Sequence, residues 1–546
     1  MKYSNDREKR KTSKSPSNIK KLKIKKETLI FFSYLFVLFI LFSFKLNSYD
    51  IISDEGHYTL RSLFLVDRIY SAGQATNYVI FNGDIPWWGK IHYHDHPIFS
   101  FLVRHFGLLF SPTIEASRYV SVLFILIGIY YLLLIMTRFL NFTPFQSIFL
   151  SIILILSTFF YCFCTTAFIE PILFGLMSAF TYYHFSFIKT RKDKYLLLST
   201  LFLSLSILTK YTSFILIPFY FYSLYLVFSR DIKLFFKSIF IFLSIISPIY
   251  IYNILLYIHK GYMDLQFSRL FHLQSKRPDA IFFKNLSPMY ITNLKNLIVR
   301  YIKNDIAIFL ISIISLIFLL YLLFRGYRNY FHIFGISLFF LFVLFFAIVG
   351  SPYRYLLPFN FSLFLLILLA FSKVNTIFTS HKMRCIYYIL FIFSVGCVIA
   401  YFIYLNIDSS SYLSNFFRDM GYRALDKSID NIFSNDKNTI IFYDESMNFF
   451  LESWHIGKYV YKGYYIFPLS YFDSVLKHLG ESINMYHIYI IFTTNNTLRD
   501  PNSEDIVKNY QLFKQKNKEH LELYTIIKVK DKHMFEIYLL KNKSLR

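Results

Sequence analysis

Much that would mark a water-soluble enzyme is scarce or missing in these 546 residues. Only four cysteines occur, Cys162, Cys164, Cys385 and Cys397, all in or beside apolar runs, so no disulfide framework holds the polar parts together. No Asp-x-Asp pair is present, and no glycine-rich fingerprint follows a strand-like run, which argues against a soluble nucleotide-sugar or dinucleotide enzyme. Charge is sparse at 17% of residues, and acids are scarcer still: 33 Asp and Glu face 58 Lys and Arg. Between Arg118 and His259 the acids are Glu170, Asp193 and Asp231 alone.

What replaces charge is apolar surface. Hydrophobic residues make up 55% of the chain and aromatics 21%, too much for a water-soluble protein of this length. Long apolar runs alternate with short polar ones, so the expectation is a polytopic α-helical membrane protein with about eleven spans. They fall near 29–46, 119–137, 147–165, 171–188, 195–209, 212–228, 237–257, 305–324, 331–349, 354–371 and 385–405. A basic tail, 1–27, precedes them and reads as a disordered segment held near anionic headgroups, with the first run as a retained anchor. The net charge of +25 is concentrated in this tail and in short loops, a topology signal rather than a nucleic-acid surface.

Orientation follows from the loops. Lys189–Lys194, Arg230–Lys237, Arg325–Arg328 and Lys373–Arg384 fall on the same side as the tail, which the positive-inside rule makes cytoplasmic. The opposite side then receives a first loop, 47–116, a second, 258–303, and a polar C-terminal part, 406–546. Strand-like runs at Thr439–Tyr443, Ile488–Phe492, Tyr524–Lys528 and Met534–Leu540, with helical pattern near Tyr412–Phe433, make that part a small α/β or α+β domain. In the first loop, apolar positions from Tyr58 to Tyr70 suggest an amphipathic helix lying on the membrane.

The outer side carries the chemistry-bearing residues. Asp54 and Glu55 follow the first span, and His92, His94 and His96 alternate so that an extended backbone aims them one way. Glu170 faces outward, as do Arg118, Lys210 and Arg354 at the outer ends of spans, on the side poor in positive charge. Each has a plainer reading: helix-end charges for Asp54 and Glu55, solvated histidines, and basic side chains reaching for headgroups.

In order, Asp54-Glu55, His96-Pro97, Ala116-Ser117-Arg118, Glu170-Pro171, Leu208-Thr209-Lys210-Tyr211-Thr212 and Tyr353-Arg354-Tyr355-Leu356-Leu357-Pro358 resemble the C-type (GT-C) glycosyltransferase superfamily. The resemblance is to its protein O-mannosyltransferase and aminoarabinose transferase branch and covers residues 28–405. His96-Pro97-Ile98 departs from relatives that carry two prolines. The resemblance implies a GT-C fold and transfer of a sugar from a polyprenyl-phosphate donor to a hydroxyl of a lipid, glycan or protein, with inversion. It implies Asp54 as general base, with Glu55 as a second catalytic residue, and Lys210, Arg354 and Arg118 on the donor phosphate. A divalent cation held through His94, His96, Glu55 or Glu170 is a further option. The expected location is a bacterial or archaeal cell membrane with the site outside. Rival readings are a lipid-linked oligosaccharide polymerase or ligase, which shares the chemistry, and a transporter, which would place charges at mid-membrane and show repeated halves.

Overall fold

The computed structural model describes residues 16–46, 97–109, 113–263, 290–350, 353–377, 421–435, 438–444, 465–469, 472–494, 504–529 and 532–541, with isolated positions 55, 59, 267, 273, 396 and 400. In chain order the helices are α1 (Pro16–Leu46), α2 (Pro97–Leu109), α3 (Ile114–Phe139), α4 (Pro144–Ile155), α5 (Thr158–Phe163), α6 (Glu170–Thr190), α7 (Asp193–Thr209), α8 (Ile217–Phe228), α9 (Ile232–Lys260), α10 (Tyr290–Asn304), α11 (Ile306–Phe324), α12 (Tyr330–Val349) and α13 (Leu356–Ile377). Short 3-10 turns, Tyr211–Leu216 and Tyr353–Tyr355, precede α8 and α13.

Among the described residues 7 helical stretches are long and apolar enough to cross a bilayer: Lys26–Leu46, Ile114–Phe139, Tyr211–Phe228, Ile232–Ile258, Ile306–Phe324, Tyr330–Ile348 and Leu356–Val374. The protein is an integral membrane protein. Large apolar side chains such as Phe236, Phe240, Ile254, Ile314 and Phe324 stand on the outside of this bundle, where lipid replaces water and exposure of apolar surface costs nothing. Inside, α6 and α13 form the centre, buried almost all round. Gly175 explains how α6 approaches α3: a Cβ there would lie 2.5 Å from the Phe124 carbonyl oxygen, so only glycine permits this backbone contact.

Several expectations are revised here. Helix α1 starts at Pro16, so residues 16–26 are helical rather than a disordered tail; proline is well placed in a first turn, and the Lys/Leu/Ile-rich segment favours helix. The run 147–165 is not one span but two helices, broken at Leu156–Ser157. Amides freed by a break at membrane depth need internal acceptors, and here Asp305 supplies them, accepting from the Thr158 and Phe159 amides. Ser157 Oγ donates to Asp305 Oδ2 at 2.5 Å, Asn360 Nδ2 donates to Ser157 Oγ at 2.5 Å, and Tyr301 donates to Asn360 Oδ1 at 2.5 Å. Helix α10, whose Leu297 and Tyr301 are buried while Ile291, Ile298 and Ile302 are exposed, lies within the expected second loop. The 385–405 span and the amphipathic helix expected at 58–70 lie outside the described residues, apart from helical positions 59, 396 and 400.

The C-terminal part contains α14 (Tyr422–Asn435), α15 (Phe472–Leu479) and α16 (Glu504–Lys516) around a five-stranded sheet. Its strands are β1 (Thr439–Tyr443), β2 (Tyr465–Pro468), β3 (His487–Thr493), β4 (Leu521–Val529) and β5 (Lys532–Leu540), in the order β2-β1-β3-β5-β4. β1 runs parallel to β2 and β3, while β5 is antiparallel to β3 and β4. The interior strand β1, between β2 and β3, is buried on both faces, as its continuous Thr-Ile-Ile-Phe-Tyr run demands. Phe442, Ile490 and Phe492 pack with Phe472 and Phe513, whereas Ile441, Ile491 and Phe535 face the other way, towards Tyr422.

Candidate active site

The two ends of the bundle differ chemically. At one end, Lys189 Nζ donates to the Arg138 carbonyl at 2.9 Å, and Arg230 pairs with Asp193 at 2.9 Å, so the C-terminal ends of α3, α6 and α8 and the basic loops gather together. The other end collects the N-termini of α3 and α6, the C-termini of α1 and α7, and the 3-10 turn before α13. Five of the sequence-derived candidates lie there, in two clusters.

The first cluster joins Glu55 to Arg118. Arg118 sits one turn into α3 and is fully buried, as is Glu55. Its Nε donates to Glu55 Oε1 at 2.7 Å and Nη2 to Oε2 at 2.7 Å, the two-pronged geometry a planar guanidinium offers a carboxylate. Nη1 donates to the Leu46 carbonyl at 2.5 Å, closing the end of α1, and the Ala167 amide donates to Glu55 Oε1 at 2.8 Å. Arg118 thus differs from the open phosphate ligand expected of it, and Glu55 from a free catalytic carboxylate, because each already occupies the other. Lys45, one residue before the end of α1, is a buried cation that the sequence reading passed over. Its Nζ donates to the Tyr161 carbonyl and lies 3.7 Å from that ring's centre. A lysine in the last turn of an apolar span was the available signal.

The second cluster converges on Glu170, the first residue of α6 and fully buried. Lys210 ends α7 in an extended conformation (φ −164°, ψ 137°) before the 3-10 turn, and its ammonium donates to Glu170 Oε1. The same ammonium lies 3.6 Å from the centre of the Tyr355 ring. Arg354 Nε is 3.7 Å from Glu170 Oε1, with its guanidinium carbon 5.4 Å from the Tyr355 ring centre. Burial alone would push the Tyr355 phenol up, but the Lys210 and Arg354 cations beside it hold it below its ordinary value. Arg354 is 22% exposed and Lys210 2%, so the cationic pair opens outward through Arg354.

Asp54, His94 and His96 lie outside the described residues. Among the described residues no group of three His, Cys, Asp or Glu side chains could hold a metal ion. Glu170 fits a divalent cation poorly, since its Oε1 already has the Lys210 ammonium and the Arg354 guanidinium against it, and a third cation would be repelled. At the same end, Arg423 of α14 pairs with Glu115 of α3 at 3.0 Å, which puts the start of the C-terminal domain on the face that carries both clusters.

Comparison with known proteins agrees with this architecture. The family described as dolichyl-phosphate-mannose-protein mannosyltransferase matches residues 94–252, a stretch that holds Arg118, Glu170 and Lys210. No curated protein matches the chain. The fold is similar to that of ArnT from Cupriavidus metallidurans in the apo state, at a TM-score of 0.54 and 12% identity over 93% of this chain and 97% of that one. It is similar also to the same protein bound to undecaprenyl phosphate, at a TM-score of 0.55 and 13% identity over 94% and 97% of the two chains. The chain therefore has the ArnT-like GT-C fold and, over residues 94–252, the sequence pattern of the dolichyl-phosphate-mannose-protein mannosyltransferases.

Proposed function

We propose that this protein is a membrane glycosyltransferase that moves a hexose or pentose from a polyprenyl-phosphate donor to an acceptor hydroxyl, with inversion, at the outer face of the cell membrane. The observation that carries this reading is the convergence of Lys210 and Arg354 on Glu170 at one end of an ArnT-like bundle. Undecaprenyl phosphate occupies one of the similar structures, and dolichyl phosphate mannose gives the matching family its name. Two cations balanced by one carboxylate leave a net positive site, which suits the phosphate that takes up charge as the sugar leaves.

In this reading Asp54 is the general base that takes the acceptor's proton. Glu55 is its covalent neighbour, and consecutive Cα atoms are about 3.8 Å apart. Anchoring Glu55 to Arg118, Leu46 and Ala167 therefore pins the chain beside Asp54. Arg118 and Glu55 act as positioning residues. Lys210 and Arg354 hold the leaving phosphate.

The test is transfer by the full-length protein in nanodiscs with a purified polyprenyl-phosphate sugar. Arg354→Met and Lys210→Met should each cut kcat/KM at least about tenfold, since a hydrogen bond to a charged group contributes about 1.5–3 kcal/mol. A variant that keeps the parent's donor kinetics would remove its residue from the site.

A further inference from the structure

Glu170 is paradoxical in a site meant for an anion. A buried carboxylate repels phosphate, and two cations would bind it more tightly without one. Its placement is nonetheless deliberate in structural terms: it is fully buried at the first position of α6, and it holds Lys210 through Oε1 with Arg354 at 3.7 Å. Its second oxygen, Oε2, is buried with no hydrogen-bond partner among the described residues. An unsatisfied buried carboxylate oxygen is costly, and it faces a need that a hydrogen-bond donor on a ligand would meet.

Resting on the donor-site reading above, we infer that Glu170 makes the site selective for a singly charged lipid phosphodiester over the doubly charged phosphomonoester left after transfer. Lys210, Arg354 and Glu170 together carry one net positive charge. The donor is a phosphodiester with one negative charge, which matches the net charge of these three residues. In transfer, the acceptor oxygen forms a new bond to the anomeric carbon, the bond from that carbon to the phosphate oxygen breaks, and the electron pair stays on the phosphate. The acceptor's proton goes to the Asp54 carboxylate. What remains is a monoester whose second pKa is about 6, hence a dianion above neutral pH. Once Asp54 has given up that proton, the monoester leaves Lys210, Arg354 and Glu170 with one negative charge in excess, next to the buried Glu170 carboxylate. The departing sugar also takes away the hydroxyls that would donate to Oε2. Charge and hydrogen bonding both favour substrate over product, so the same residue that orders Lys210 speeds release of the spent lipid.

The experiment measures equilibrium binding of farnesyl phosphate and of its methyl diester to the full-length protein in nanodiscs at pH 8. The parent should bind the diester at least as tightly as the monoester. Glu170→Gln removes one negative charge but keeps the side chain's size, and it should raise monoester affinity relative to diester affinity by on the order of tenfold to a hundredfold. Equal changes for both lipids in Glu170→Gln, or a relative loss for the monoester, would overturn the inference while leaving the donor site in place. Should the variant fail to fold, the parent alone decides: a tenfold preference for the monoester overturns it. A parent that binds neither lipid overturns the donor-site reading itself, and this inference with it.

Discussion

Breaking the ion pair between Glu55 and Arg118 is the sharpest test of how the end of the bundle that carries both clusters is held together. Both side chains are fully buried, joined by two hydrogen bonds of 2.7 Å, and the Leu46 carbonyl and the Ala167 amide bond to the same pair. Removing one partner of a buried ion pair typically costs about 3–5 kcal/mol. Arg118→Met deprives the Glu55 carboxylate of both 2.7 Å bonds to the guanidinium, and Glu55→Leu deprives the guanidinium of the same two. The double substitution strands neither charge, and replacing a buried pair with apolar groups of similar volume is often close to neutral. We expect each single variant to lose roughly 3–5 kcal/mol and the double variant less than either, a coupling of at least about 3 kcal/mol. The assay is reversible unfolding in mixed micelles of rising dodecyl sulfate content, followed by far-ultraviolet circular dichroism. Effects that add to within about 0.5 kcal/mol would mean that the two residues do not depend on each other, and the account of the first cluster would fall. The double variant carries a further consequence for activity. It should regain stability without regaining transfer, because nothing then pins the chain next to Asp54.

Three other outcomes are expected. Asp54→Asn should fold normally and lose about 10²- to 10⁴-fold in turnover, as loss of a general base does; transfer near the parent rate would leave Asp54 as a mere helix-end charge. Gly175→Ala should destabilise the bundle by at least about 1–3 kcal/mol, because its Cβ would stand 2.5 Å from the Phe124 carbonyl oxygen and backbone cannot step aside cheaply; an unchanged unfolding midpoint would show that α3 and α6 are not so close. Single cysteines at Glu115 and Arg423 should react with an impermeant thiol reagent from one side of the membrane, and cysteines at Asp193 and Arg230 only after the membrane is opened; mixed labelling within either pair would break the two-ended arrangement.

Sequence pattern disclosed the bundle because hydropathy and loop charge act locally. The ends of α3, α6, α9, α11 and α12 lie within a few residues of the apolar runs that announced them. Four strands of the C-terminal sheet were legible from β-branched and aromatic runs. β2 was not, for Tyr465–Pro468 is only four residues long and ends in proline. The break at Ser157 was invisible because its cause sits in another helix: an apolar run carries no mark of an aspartate at position 305 that will cap its interior. The site showed the same division. Glu170, Lys210 and Arg354 stood out as charges where charge is scarce, and the structure brings them together. That Glu55 and Arg118 satisfy each other could not be read, since 63 residues separate them and either was equally suited to a ligand.

The Asp305 cap on α5 also has a history in time. Ser157 and Asp305 are 148 residues apart, so a ribosome working at about 5–20 residues per second makes the cap on the order of ten seconds after the segment it caps. Until then the amides of Thr158 and Phe159 have no such acceptor, and the cheapest arrangement for 147–165 in lipid is one unbroken helix. Chains truncated before Asp305 should therefore resist proteolysis at Leu156–Ser157 less well than the whole protein only if the break forms early. On the opposite schedule the bend is a late act of assembly, and the N-terminal end of α6, with Glu170 on it, takes its place only when the second half of the protein arrives.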